Sequence, residues 1–518
     1  MSNMYYDLVL YNADIITLDP THKSAEILGI KGDKFVYVGE YKSKILNQAI
    51  STWDMEGKAI IPGFIDLHTH LWKESHIISI DLGSYSTYQD VIKKIEAEVK
   101  TRDPGEWVFA SNWDESKWMD RKEFLTRETL DAISPHNPVY THREDGHLVV
   151  ANSLALDKLP ISDHPGVEKD SSGKPTGILK DVWLDLSPYY KEKIPESIEK
   201  SCYIAASKGI TAAVDNLTIM PAGQQNIMNA YFQLDMANKL PIRIFLNPTR
   251  ELLGEFRKLG IVQNWGSSKV RFSGFKGFFD GTLGAQTALL NEPYNDYNGK
   301  GDQFLDEEEL IQQIIASEKN DYTLCIHAIG DQAIERLLTC YEKAILETGK
   351  SHSSRHHRIE HAEMITDNQI NKAKQLGINL SMQPNFLKWE YPGGLYETRL
   401  GKTRFMSLNR FSTILRNEVL LNFGSDNMPL SPLYGIREAA NFPSTEIKIP
   451  IIEGLRAYTI NNAQVLFMES NLGSISVGKL ADFVILSKSP LTMKLSELDD
   501  KLVERTFVGG VEVYNSSS

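Results

Sequence analysis

The sequence predicts an α/β protein organised as a (β/α)8 TIM barrel, and three observations lead there. From about residue 209 onward, short β-branched or apolar runs alternate with amphipathic stretches. Two histidines two residues apart, His68 and His70, close an earlier apolar run that begins at Ile60. Polar residues then recur at the ends of the later runs, where a plain core would stay apolar. Strands alternating with helices favour parallel βαβ units, and a barrel gathers polar groups at the C-terminal ends of its strands. An open doubly wound sheet is the alternative, but it has no reason to collect them in one place.

Each element follows in order. Residues 1–58 hold apolar runs at 8–10, 14–18 and 28–38 with turns at Asn12, Gly32 and Gly39, the pattern of a small β-meander. Residues 471–518 carry a matching pattern at 473–475, 482–486 and 503–513. One small β-sandwich built from both termini is expected, flanking a barrel domain of residues 59–470. Eight runs supply the barrel strands: 60–70, 209–216, 241–247, 270–280, 322–330, 358–365, 378–385 and 419–426. Between them, 332–346 places Ile334, Leu337, Leu338, Tyr341 and Ile345 on one helical face, and 307–320, 367–376 and 408–417 behave similarly. The interval 72–207 is too long for a single crossover. It reads as an insertion after barrel strand 1, a subdomain over the barrel mouth.

Composition sets outer limits. A chain of 518 residues fits one large barrel plus a smaller domain, and 42% hydrophobic with 24% charged residues is ordinary for a folded protein. The net charge of −13 argues against nucleic-acid and anionic-membrane partners, which clustered Lys and Arg would meet. No signal peptide and no uncharged apolar window of transmembrane length is legible. Cys202, Cys325 and Cys340 lack metal-type spacing, so a reducing, cytoplasmic setting is expected.

The chemistry starts from His68 and His70. On a strand, residues i and i+2 share a face, so the two imidazoles converge on one point, as a metal ion requires. Alone, such a pair is weak evidence. Lys276 lies in an apolar strand, and by itself it reads as a lysine whose ammonium reaches for the surface. His327 and His361 end two further strands and could each be a satisfied core histidine. Asp426 could simply cap the segment that follows it. His356 and His357 precede a strand at its far end and read as surface residues.

Taken in strand order, HxH, Lys, His, His and Asp resemble the amidohydrolase superfamily over nearly the whole chain. The flanking words IPGFIDLHTH at 61–70 and GSISVGKLADF at 473–483 support this. The segments at 112–115, 145–147, 151–156 and 280–284 resemble its amidohydrolase 3 branch, which includes N-substituted formamide deformylases. The resemblance implies a binuclear divalent-metal centre, zinc being the expected ion, with His68, His70 and Asp426 on one metal and His327 and His361 on the other. Lys276 would bridge them as a carboxylated lysine, because an ammonium cannot ligate a cation whereas a carbamate offers two anionic oxygens. A metal-bridging hydroxide would attack the carbonyl, with Asp426 as base and then acid.

The expected reaction is hydrolysis of a C–N bond in an amide or an N-acyl or N-formyl amine. Two alternatives stand: a single-metal deaminase of a cyclic amidine or nucleobase-like compound, and a non-catalytic small-molecule-binding barrel. Candidate substrate contacts are Trp113, Asp114, Asp145, His147 and Gln383, although a polar network inside the insertion would equally explain those in the insert. Asp280 and Gly281 are expected to shape the turn beyond Lys276. A small-molecule substrate is the expected partner, and the resemblance allows a homodimer.

Overall fold

Gly63 divides the first expected strand into two strands that join different sheets. A Cβ at this position would lie 2.2 Å from the Thr211 side chain, so only glycine lets the chain pass. Ala59–Pro62 runs antiparallel to Phe483–Leu486 and parallel to Tyr6–Ile16. Phe64–Thr69 instead lies parallel to Ile210–Asn216. The computed structural model describes residues 5–517 apart from 75–78, 162–163, 183, 185, 187–188, 218–220 and 350–355.

Both termini share one eight-stranded mixed sheet, in which Val503–Val508 and Val511–Asn515 extend the edge beyond Phe483–Leu486. Alternating residues from the two ends meet in one core, where Leu10, Leu28, Phe35, Ile60, Phe483 and Phe507 are buried together. Arg243 ties this sheet to its neighbour by donating from Nε and Nη2 to Asp482 at 2.7 and 2.9 Å.

Two parallel sheets carry the strands that position the site. One has the order Val270–Phe272, Arg243–Asn247, Ile210–Asn216, Phe64–Thr69; the other Phe275–Phe278, Leu324–Ala328, Arg358–His361, Asn379–Met382, Leu421–Phe423. Ile210–Asn216 and Leu324–Ala328 are buried along their whole length, as strands covered on both faces must be. The expected strand at 270–280 is broken at Ser273 and Gly274, and there the two sheets adjoin. At the opposite seam the Asp426 N–H donates to the His68 carbonyl at 2.8 Å. A Cβ on Gly424 would approach the His68 nitrogen to 2.5 Å, so glycine permits this contact between the last strand and the first.

The connecting helices have defined ends. Glu307–Asn320 is N-capped by Asp306, and Asp331–Thr348 stops at Gly349 in the left-handed conformation. Asp367–Leu376 begins with a capping box formed by Thr366 and Gln369. Within residues 72–207 a separate six-stranded sheet runs from Val167–Lys169 at one edge to Ile80–Asp81 at the other. It has its own core, which includes Trp113, Trp118, Leu130 and Val139.

His357 is not a surface residue. It is fully buried, its Nδ1 accepting the Leu324 N–H at 2.9 Å and its Nε2 meeting Glu318 at 3.1 Å. Helix Glu307–Asn320 carries Glu318 over that end of the strand, a tertiary covering that local sequence does not reveal. Among the described residues no helix is long and apolar enough to cross a membrane.

Candidate metal centre

Strand alternation aims His68 and His70 at one point, and the outer nitrogen of each ring is already committed. His68 Nδ1 donates to Glu360 Oε2 at 2.8 Å and His70 Nδ1 donates to the Asn216 carbonyl at 2.9 Å. His327 Nε2 donates to the Gly281 carbonyl at 2.9 Å. A neutral imidazole has one N–H, so these partners leave His68 Nε2, His70 Nε2 and His327 Nδ1 as lone pairs.

Those lone pairs face more acceptors. His70 Nε2 stands 3.1 Å and His68 Nε2 3.8 Å from Asp426 Oδ1, which is buried without a hydrogen-bond donor of its own. One ligand atom from each of His68, His70 and Asp426 can be chosen so that all lie within 4.8 Å of one another. His70 Nε2 and Asp426 Oδ1 are acceptors without a proton between them and repel unless a cation sits beside them, so this donor set fits a metal ion.

The remaining residues close around this point. Lys276 Nζ is 3.3 Å from His68 Nε2. The His361 ring lies 4.8 Å from that of His68 and 4.4 Å from that of His327, and its Nδ1 is buried without a partner. Burial, followed by neighbouring positive groups, pushes the His68, His327 and His361 imidazoles below their ordinary range, towards the neutral form that ligates. Burial likewise pushes the Lys276 amine down.

Backbone strain collects here as well. His361, Ala362, Asp426 and Asn427 have φ of 73°, 50°, 52° and 60°, left-handed conformations that side-chain-bearing residues avoid. Asp280, beyond Lys276, shapes the adjoining loops: its carboxylate accepts the N–H groups of Leu289, Ile329 and Gly330 at 2.9, 3.0 and 2.8 Å.

Glu360 and Arg358 are functional candidates that sequence reasoning passed over. Arg358 Nε donates to Glu360 Oε1 at 3.0 Å while the other oxygen takes His68, and both charged side chains are fully buried. Against the upward push of burial, His68 and Arg358 hold the Glu360 carboxyl well below its usual range. Two charges at i and i+2 in a core strand were the available signal, the same spacing that marks His68 and His70.

A cavity of about 140 Å³ opens beside the cluster, touched by His68, His70, Lys276, His327, His361 and Asp426. A side pocket of about 20 Å³ shares His327, His361 and Asp426 with it and continues past Thr282, Phe386, Trp389 and Tyr396. Asp145 and His147 line both cavities. His147 donates from Nδ1 to Asp181 and its ring lies 5.3 Å from that of His327. Burial opposes its protonation, but Asp181 prevails and raises the imidazole above its ordinary range.

Three of the expected substrate contacts sit elsewhere. Trp113 is buried in the core of the inserted sheet with Nε1 directed at the Thr141 carbonyl, 3.4 Å away. Asp114 pairs with Arg143 at 3.2 Å and caps the turn at Ser116. Gln383 is buried, its Nε2 donating to the Ser381 carbonyl at 3.3 Å, and lines neither cavity.

Comparison with known proteins agrees with this arrangement. The chain is 30% identical to the protein LONG AFTER FAR-RED 3 of Arabidopsis thaliana, covering 98% of this chain and 91% of that one. It is 25% identical to the N-substituted formamide deformylase of Arthrobacter pascens, over 98% of both chains. A solved structure of an uncharacterized metal-dependent hydrolase from Pyrococcus horikoshii OT3 superposes with a TM-score of 0.74 at 26% identity, covering 95% of this chain and 99% of that one. The plan shared with such neighbours is the TIM barrel. With residues 51–514 matching the amidohydrolase family model, the chain belongs to the amidohydrolase family and is a hydrolase acting on carbon–nitrogen bonds.

Proposed function

We propose that this protein hydrolyses the amide bond of an N-acyl amine with a short acyl group, at a divalent-metal centre held by His68, His70, His327, His361, Asp426 and a carboxylated Lys276. The observation that carries the reading is the 3.1 Å approach of His70 Nε2 to Asp426 Oδ1, two acceptors, with the other ring nitrogen of His70 already engaged by the Asn216 carbonyl. In the same reading the two parallel sheets close as one barrel within the expected 59–470 span, its first strand being Phe64–Thr69 because Ala59–Pro62 belongs to the terminal sheet. The inserted subdomain spans about 72–207, and residues 1–58 and 471–518 make the flanking β-sandwich.

Zinc is the metal we favour, as two ions that these residues and the carbamate of Lys276 would hold. When bound, the metal polarises the substrate carbonyl and lowers the pKa of water so that hydroxide is available near neutral pH. The Lys276 amine, kept below its ordinary range by burial, adds to carbon dioxide with loss of a proton and becomes an anionic carbamate. Asp426 takes the proton of the attacking water and delivers it to the departing nitrogen, so one carboxylate serves as base and then as acid. His147, anchored by Asp181, stands against His327 at the wall of both cavities and orients the carbonyl end of the substrate.

The side pocket supports a short acyl group. Its volume of about 20 Å³ is a little above the ~10–15 Å³ that a single water needs, room for a small group such as a hydrogen or a methyl beyond the carbonyl carbon. The relative from Arthrobacter pascens is named for N-substituted formamides, which carry the smallest acyl group. Lys276 beside His68 supports this reading over a single-metal deaminase, which has no need of a lysine there.

The test is a metal-replete preparation assayed on N-formyl and N-acetyl amines and on cyclic amidines, with amine and ammonia measured separately. Release of amine with about two ions per chain is expected. Release of ammonia with one ion and an unmodified Lys276 would replace this reading with the deaminase.

A further inference from the structure

The side pocket is walled by rings that succeed one another outward from the metal centre. Phe386 stacks on His361 with centroids 5.7 Å apart and planes 11° from parallel. Trp389 packs against Phe386 at 5.3 Å and Tyr396 against Trp389 at 6.0 Å, and all four residues line the pocket. Phe386 and Trp389 are buried members of one short 3₁₀ turn, Pro384–Trp389, which follows strand Asn379–Met382. In such a turn residues three apart eclipse, so the two rings rise from one edge. Arg143, Asp145, Thr282 and Glu363 bring polar atoms to the same pocket.

Trp389 is held in place from the insertion. Its Nε1–H donates to Asp114 Oδ2 at 3.2 Å. The other oxygen of Asp114 accepts Arg143 Nη2 at 3.2 Å and the Ser116 N–H at 3.0 Å. Asp114 is buried, so the indole is fastened to a fixed acceptor. The neighbouring Lys388 pairs with Glu144, a second tie between this turn and the insertion. With Phe386 leaning on His361 and Trp389 fastened to Asp114, neither ring gives way without disturbing a close-packed contact.

From this wall, and resting on the N-acyl amine reading above, we propose that Phe386 and Trp389 set the length of acyl group the enzyme accepts, with Asp114 as the positioning residue for Trp389. The pocket of about 20 Å³ has room for a hydrogen or a methyl, and the next carbon meets the two rings. Extra methylenes in a filled site force side chains off their rotamers or shift the backbone. A propionyl or butyryl group must therefore push Phe386 away from His361 before its carbonyl can reach the metal centre. Neither Phe386 nor Trp389 lines the larger cavity, so these rings do not limit an amine half that lies there.

The experiment measures kcat/KM for release of phenethylamine from its N-formyl, N-acetyl, N-propionyl and N-butyryl derivatives. A second series releases amines of increasing bulk from their N-acetyl derivatives, and metal content is determined for every protein. The parent should hydrolyse the butyryl compound at least ~30-fold more slowly than the acetyl. In Phe386→Leu and in Trp389→Phe that gap should shrink by ~10-fold or more, with the ranking of amines unchanged. Phe386→Met takes the place of either ring variant that does not load metal. Asp114→Ala should shrink the gap by ~3-fold in the parent and not at all in Trp389→Phe, where no indole N–H remains to be held. A parent that takes butyryl as readily as acetyl would overturn the proposal while leaving amide hydrolysis intact. So would a gap unchanged in the metal-loaded ring variants, or a new tolerance of bulky amines there in place of longer acyl groups. An Asp114→Ala effect of equal size in both backgrounds would overturn the role given to Asp114. Release of no amine from any compound by metal-replete parent would instead remove the N-acyl amine reading, and this proposal with it.

Discussion

Glu360 grips His68 from behind, accepting its Nδ1 hydrogen at 2.8 Å, while Arg358 holds the other oxygen of the same carboxylate at 3.0 Å. The pair fixes the ring orientation and leaves Nε2 as the lone pair. Glu360→Gln keeps the shape but offers a weaker acceptor. Metal affinity, measured by competition with a chelator, should fall ~10- to 100-fold. An unchanged affinity would mean that Glu360 only fills space.

Asp426 is assigned proton transfer as well as metal binding. Asp426→Asn should retain much of its metal, because His68 and His70 stay in place, yet lose at least ~100-fold in kcat. Metal content by elemental analysis and turnover on an N-acyl amine check the two halves separately. Parent-level turnover in the variant would refute the assignment.

If Lys276 bridges two ions as proposed, Lys276→Ala should lose the bimetal centre, and with it most activity. Short carboxylic acids added to the variant should restore part of both, since they present two oxygens where the carbamate would be. Full occupancy and activity without added acid would show that no lysine bridge is needed.

Arg143 is a stability prediction. It is fully buried among Asp114, Glu115 and Asp145, so replacement by Leu strands three carboxylates at once. A loss of ~3–5 kcal/mol in denaturant unfolding is expected, as for other buried ion pairs with one partner removed. A change below ~1 kcal/mol would show that the acids are reached by water.

Lys269 gives a pH dependence outside the site. Burial, then the charge of Arg243, pushes its amine from 10.5 down to about 8. Between about 8 and 10.5 the folded chain has released a proton that the unfolded chain still holds, so this residue makes stability rise with pH there. Below about 8 both states are protonated and the unfavourable burial is constant. Lys269→Met should therefore be more stable at pH 7, and the difference from the parent should shrink between pH 8 and 10. Parallel stability curves for the two proteins across that range would contradict this.

The alternation of strand and helix was legible because it is local. Runs such as 367–376 announce their helix by period and by the capping pair Thr366 and Gln369. The six polar residues at the strand ends were legible through their order, since one topology brings all of them to a single mouth. Contacts made by packing between segments were not. Trp113 was expected near substrate because it is aromatic and lies just before a helix-like stretch of the insertion, but its neighbours in the inserted sheet enclose it completely. His357 sounded like surface because nothing beside it in sequence says that Glu318 arrives from another helix. Glu360 was passed over because it stands between Ile359 and His361, and attention to the histidine hid the residue that orients another one.

The break at Gly63 gives the terminal sheet an influence on chemistry it never touches. Ala59 and Ile60 are clamped between Phe483–Leu486 on one side and Tyr6–Ile16 on the other, and His68 follows only a few residues after that clamp. The first strand of the site is thus mounted on a foundation contributed by both ends of the chain. A truncation that removes Val503–Val508 and Val511–Asn515 would loosen the footing of His68 and His70, and its earliest symptom would be a leak of metal rather than a change in shape.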